Sequence, residues 1–355
     1  MEKMDVELFS VDYTGLDQTV EALFPVGDTL RFSDIVCGLM DGEIPLRDLF
    51  SLLKESGYQG LFYGVLGVKE LIYIAIVAAV FSILSKTGRL GQAAQTGFFV
   101  AYLLIVAGSL RIFEASKTIV GDALSALLDF MKVLLPAYCA GLTFASGSLS
   151  GSGFYAVAML GIAVVGIVLR NVVLPMIGLY FMLSVLNRIL EEDFLSKLAG
   201  LFYSVADGLM KISVAAVLGI GTIQGMIAPA ADAVKRSALI KTAGAVPVVG
   251  DILDGTSQTV LAAGVLLKNA IGAAGAILIF LLCLIPLLRV GIAQFALRFG
   301  AAVLQPVSDK RITDCLGYAA KTHKLLLRMV LYTMLLFFLT IVVLSVLTGG
   351  KGGGV

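Results

Sequence analysis

Charge is scarce in this sequence. Only 14% of the 355 residues are charged, whereas 59% are hydrophobic and the mean hydropathy is +0.98. Soluble globular chains average about 25% charged and about 45–50% apolar residues. A soluble chain of this length would expose more charge than this one carries, whereas a lipid-facing surface needs none. The composition therefore excludes a soluble enzyme and predicts an all-α, polytopic membrane helix bundle.

Residues suited to catalysis or metal binding are also few. Tryptophan is absent, His323 is the only histidine, and the four cysteines are far apart, at Cys37, Cys139, Cys283 and Cys315. This set contains no C-x-x-C pair, no His-rich metal site and no Ser–His or H-E-x-x-H arrangement. We therefore expect no enzymatic activity, no cofactor and no metal. A net charge of +1 gives no basic excess, so nucleic acid is not an expected partner.

The charge that is present is concentrated at the N-terminus. Residues 1–56 contain twelve acidic and four basic side chains. We predict a small acidic, helical, extracytoplasmic head at 1–60, a transmembrane body at 61–348 and a flexible Gly-rich tail at 349–355. No apolar signal segment precedes the head. Either the first span exports the head or a leader segment is absent from this sequence.

Apolar runs divide the body into spans, because about 20 apolar residues at 1.5 Å rise cross a hydrocarbon core of about 30 Å. We predict about eight spans, near 64–85, 92–110, 130–146, 153–169, 171–187, 212–231, 269–288 and 329–348. Arg170 is interpreted as a turn residue between two of them. A structured loop is predicted at 232–268. A basic loop is predicted at 289–328, with an amphipathic helix that lies in the interface, packs its polar stripe on a neighbour or adds a ninth span.

Orientation follows from the basic loop, since loops rich in Lys and Arg stay cytoplasmic. With eight spans, the head and the C-terminus then lie outside. Ten residues are candidates for packing or interaction: Gly221, Gln224, Gly225, Pro247, Gly250, Asp251, Lys268, Asn269, Gln305 and Pro306. The Gly221 and Gly225 pair permits close helix contact, either within the chain or between subunits. Gln224 suits interhelical hydrogen bonding or pore lining. The 232–268 loop is either a docking element or a passive linker.

Several motifs in the body resemble the stage III sporulation protein AE family. They keep the order and spacing of that family over about residues 60–348: NVVLP at 171–175, GTIQG at 221–225, TAGAVPVVGD at 242–251, the helical run at 256–267, LKNAIGAAG at 267–275, AVLQP at 302–306 and DCL at 314–316. The family usually begins with a signal-like apolar segment, which this sequence lacks.

The resemblance implies a multi-pass subunit of a secretion-like channel complex in an endospore-forming bacterium. The complex would lie in the mother-cell membrane surrounding the forespore and support late forespore development. Implied partners are the other stage III sporulation A-operon proteins, including a separate ATPase that supplies energy, the forespore stage II sporulation protein Q and membrane lipid. The alternative from the residues alone is a stand-alone small-molecule permease. The spans lack the central charges typical of coupled transporters, which favours the subunit.

Overall fold

Every regular element in the described part of the chain is a helix. The computed structural model describes residues 13–23, 31–42, 67–84, 91–146, 151–189, 194–243, 250–306 and 308–349. Side-chain surroundings are described for these residues except 22–23, 141–155, 221–263 and 346–349. The all-α prediction is confirmed.

The helices follow one another with short connections. Their bounds are α1 Thr14–Leu23, α2 Phe32–Met40, α3 Gly67–Leu84, α4 Gly91–Ser146, α5 Gly151–Val168, a π-helical turn Leu169–Val173, α6 Leu174–Ile189, α7 Ser196–Ala243, α8 Gly250–Leu304 and α9 Lys310–Gly349. Within the described residues, six helical segments are long and apolar enough to cross a membrane: Gly67–Leu84, Gly91–Ala140, Ala156–Ile189, Ser196–Ile220, Gly264–Leu304 and Lys310–Ser345.

The predicted separation into eight helices differs from this arrangement. The runs at 92–110 and 130–146 belong to the single helix α4, and the runs at 153–169 and 171–187 are joined through the π-helical turn. The interpretation of Arg170 as a turn residue is therefore wrong. Arginine interrupts a hydropathy window but is a good helix former. Pro175 lacks the N–H that would bond the carbonyl of residue 171, and the π turn absorbs this defect without ending the helix.

The two predicted loops are also mostly helical. Helix α7 continues to Ala243 and α8 begins at Gly250, so 232–243 and 250–268 are helical and only 244–249 lies outside the described residues. The amphipathic piece at 290–305 is the end of α8. The connection to α9 is short and includes a backbone hydrogen bond from Ser308 N to Leu304 O of 2.8 Å. Amphipathic sequence made these segments look separate from spans with which they are continuous.

Helices α4, α8 and α9 form the centre of the bundle. A Cβ on Gly275 of α8 would lie 2.7 Å from Leu134 of α4 and 3.4 Å from Ile341 of α9. Toward the other end, His323 of α9 contacts Ser116 of α4. These contacts make α4 and α9 parallel, with α8 antiparallel to both. Glycine at 275 lets the three backbones approach closely.

The remaining long helices pack around this centre. Gly166 of α5 lies against Leu128 of α4, and Tyr180 of α6 stacks edge-on against Tyr203 of α7 at 5.3 Å between ring centroids. Helix α3 runs antiparallel to the first half of α4, where Leu71 packs on Gly108.

Two short helices of the predicted head pack on the side of the bundle. Phe32 of α2 meets Phe130 of α4 with ring centroids 6.5 Å apart, and Gly15 of α1 approaches Val133. Asp17 of α1 accepts hydrogen bonds from the backbone N–H of Ser33 at 2.9 Å and from its hydroxyl at 3.1 Å. A carboxylate at the N-terminus of α2 pairs with the positive end of that helix. This contact fixes α1 against α2.

Candidate functional site: a charged layer across the bundle

Ion pairs connect α9 to the two helices beside it. Arg328 Nη1 donates to Asp207 Oδ1 of α7 at 2.8 Å, and Lys211 Nζ lies 2.7 Å from Asp207 Oδ2. Further along α9, Arg188 of α6 lies 3.3 Å from Asp314 and donates to the Tyr318 hydroxyl at 3.2 Å. The Asp207 side chain is only 13% exposed, so two cations compensate its burial.

Other charged residues lie at the same level of the bundle. Val120 and Leu124, which flank Asp122 of α4, share a small cavity with Met329 and Thr333 of α9. Gly291, two residues after Arg289 of α8, lies next to Leu327, and Leu174, one turn after Arg170, lies against Gly121. We call the six residues at this level the charged layer: Asp122, Arg170, Asp207, Lys211, Arg289 and Arg328.

Four helical segments beyond the charged layer are free of charge. They are 151–169, 212–231, 269–288 and 329–345, or 17 to 20 residues each. Such segments are roughly 26–30 Å long, which matches the hydrocarbon core of a bilayer. We call the level that they occupy the apolar layer.

The exposed face of α9 changes character where it passes the charged layer. Before it the exposed residues include Lys310, Lys321 and Lys324; after it they are apolar, at Leu331, Leu335, Phe338 and Val342. Exposed Lys suits water and exposed Leu and Phe suit lipid. We infer that the charged layer lies at one membrane interface.

Lys268 closes the opposite end of the apolar layer. Its side chain is buried, with 4% of the residue exposed, and Nζ donates to the backbone carbonyl of Ser345 at 3.1 Å. Ser345 lies in the last turns of α9, where carbonyl groups carry the negative end of the helix dipole. Lys268 therefore joins α8 to α9 within the chain, whereas the neighbouring Asn269 is exposed.

The family comparison fits this multi-pass arrangement. The Stage III sporulation protein AE family matches residues 31–348. This chain belongs to the Stage III sporulation protein AE family. A relative, "Stage III sporulation protein AE" of Bacillus subtilis (strain 168), is 25% identical over 308 residues, which cover 86% of this chain and 75% of the relative. No solved structure matches the chain.

The motifs that carried the resemblance do not meet at one site in the described part of this family member. Lys268 and Asn269 begin the apolar layer, whereas Gln305 and Pro306 are exposed just beyond the other end of α8, roughly 54 Å away along a straight helix. The remaining candidates have side-chain surroundings outside the described residues, with Pro247 wholly outside: Gly221, Gln224, Gly225, Pro247, Gly250 and Asp251.

The sequence gave no reason to select His323 as a packing residue. Its ring is fully buried, with Nδ1 2.8 Å from the Ala319 carbonyl and Nε2 3.0 Å from the Ser116 hydroxyl. The carbonyl can only accept, so Nδ1 carries a proton; in the neutral ring Nε2 then accepts from Ser116. His323 therefore links α9 to α4. No group of three or more potential metal ligands occurs in the described part of the chain.

Proposed function

We propose that this protein is a membrane subunit of the channel or secretion-like complex that connects the mother cell with the forespore. It would lie in the mother-cell membrane around the forespore and act in late forespore development. The observation that carries the proposal is family membership over residues 31–348, together with six helices suited to a membrane. The relative's printed name places that protein in stage III of sporulation.

The proposed role is structural, and we expect no catalysis by this subunit. Ion pairs between α9 and both α6 and α7, and the His323 contact between α9 and α4, hold the helices in one register. A bundle fixed in this way suits a scaffold around which other subunits assemble. The expected partners are the other stage III A-operon proteins, with a separate ATPase supplying energy, and stage II sporulation protein Q on the forespore side.

Orientation follows from the exposed lysines of α9. We propose that Lys321 faces the mother-cell cytoplasm and that Asn269, beyond the apolar layer, faces the opposite side. In cells carrying single-cysteine variants, an impermeant thiol reagent should label Asn269→Cys but not Lys321→Cys until the membrane is opened. Labelling of only Lys321→Cys before opening would reverse the orientation.

Recovery of the assembly tests the function. A tagged chain should co-purify the other stage III A-operon proteins from sporulating cells, as read by mass spectrometry, but not from vegetative cells that express it equally. Deletion should arrest sporulation after engulfment. If the purified protein alone moved a defined solute into liposomes and recovered no such partner from sporulating cells, the permease alternative would replace this proposal.

A further inference from the structure

One flank of the bundle is polar at the depth of the apolar layer. Asp129 and Lys132 of α4 lie seven and ten residues beyond Asp122, which is roughly 10 and 15 Å past the charged layer. Contact between Leu128 and Gly166 of α5 confirms this depth, since Gly166 lies within a charge-free segment. Asp129 and Lys132 are 65% and 57% exposed and form an ion pair of 2.7 Å.

The polar face of α4 continues outward from this pair. Arg111, Glu114, Thr118, Asp122 and Asp129 are all exposed and recur at spacings of three, four and seven residues. On an α-helix these spacings place the side chains on one narrow face. The stripe therefore runs from the exposed lysine side of the charged layer into the apolar layer.

The head helices extend the polar surface sideways. Helices α1 and α2 pack on α4 at Val133 and Phe130, the same depth as Asp129. On these two helices the exposed side chains include Gln18, Glu21, Arg31 and Asp34. We call this surface the polar flank, composed of Gln18, Glu21, Arg31, Asp34, Asp122, Asp129 and Lys132. Acidic side chains outnumber basic ones on it by four to two.

Lipid does not suit the polar flank. A long lysine can extend its ammonium group toward the interface, but the short Asp129 side chain has no such reach. Ionised groups at membrane depth face a protein interior or a water-filled cavity. The other helices present Val164, Phe280 and Leu335 near this depth, so the apolar exposure expected of a lipid-facing surface lies elsewhere on the bundle.

We propose that the polar flank borders a water-filled passage through the membrane, walled by several copies of this chain that each turn the flank inward. A passage must be closed on every side by protein, and a cyclic arrangement closes with one repeated surface. The proposal deepens the proposed function and rests on it for the existence of an enclosing assembly. The excess of carboxylates makes the passage attractive to cations.

Cysteine reactivity in native membranes tests the proposal. Asp129→Cys and Lys132→Cys are compared with Val164→Cys, a control at the same depth on α5. Cys37 is replaced by alanine, while the buried Cys139, Cys283 and Cys315 remain and the parent chain supplies the background.

A water-soluble methanethiosulfonate should modify the two flank cysteines at least about tenfold faster than the control, because each unit by which an apolar environment raises a thiol pKa lowers the reactive thiolate tenfold. At Lys132→Cys a cationic reagent should react faster than an anionic one. The assay is run on membranes from sporulating cells and on the chain purified in detergent.

The outcomes separate the passage from its alternatives. Flank cysteines as unreactive as Val164→Cys in both preparations would mean that lipid or detergent covers the flank. Flank cysteines that react in detergent but not in native membranes would mean that a partner protein covers it. Either result overturns the passage, even where the pull-down still recovers the stage III A-operon proteins and the proposed function stands. Asp129 and Lys132 variants that fail to accumulate are replaced by Asp122→Cys, read by the same criteria.

Discussion

Replacing Gly275 with alanine tests whether close packing of α8 against α4 and α9 stabilises the bundle. The new Cβ would lie 2.7 Å from Leu134 Cδ2, whereas ordinary contacts begin near 3.4 Å. Leu134 is completely buried and Ile341 is 6% exposed, so the leucine methyl has little room to retreat. Overpacking of this kind costs about 1–3 kcal/mol in soluble cores.

A matched control separates packing from helix propensity. Alanine stabilises a helix by about 0.5–1 kcal/mol relative to glycine, and this gain applies to any helical glycine. A Cβ on Gly317 of α9 would meet no atom within 4 Å. Gly317→Ala should therefore stabilise the protein or leave it unchanged. Gly275→Ala should be less stable than this control by about 1–3 kcal/mol, since propensity cancels between the two variants.

Unfolding in mixed micelles provides the measurement. Helix content is followed by circular dichroism as sodium dodecyl sulfate is added, and thermal loss of the monodisperse species is followed by size-exclusion chromatography. Combining Gly275→Ala with Leu134→Val should recover stability beyond the sum of the single changes, because the two side chains touch. Equal stability of Gly275→Ala and Gly317→Ala would refute the close approach of the three helices.

Two further predictions concern the polar contacts between helices and use the same unfolding assay. Asp207→Asn should destabilise the protein by about 1–2 kcal/mol, because Arg328 loses a partly buried counter-ion, whereas Glu114→Gln in an exposed i,i+3 pair should change stability by less than about 0.5 kcal/mol. Equal effects would contradict the importance of the charged layer. His323→Leu should cost about 2 kcal/mol by leaving the Ser116 hydroxyl unpaired, and adding Ser116→Ala should recover part of that loss; no recovery would show that the hydrogen bond contributes little.

The sequence by itself determined the class of protein and its family. Scarce charge and long apolar runs require lipid-facing helices, because a bilayer core solvates apolar side chains and leaves backbone groups to pair within each helix. Motifs that kept their order and spacing were sufficient to indicate the family, which the match over residues 31–348 confirms. Both kinds of information lie in composition and in local order along the chain.

Only the tertiary structure decided which polar residues meet. Asp207 and Arg328 are 121 positions apart, and Ser116 and His323 are 207 apart, so no local pattern links them. A hydropathy window averages over all faces of a helix, and it therefore divided α4 at its charged middle although the helix is continuous. Side-chain direction gave Lys268 to the interior and Asp129 to the surface, because packing partners from distant helices cover one and not the other.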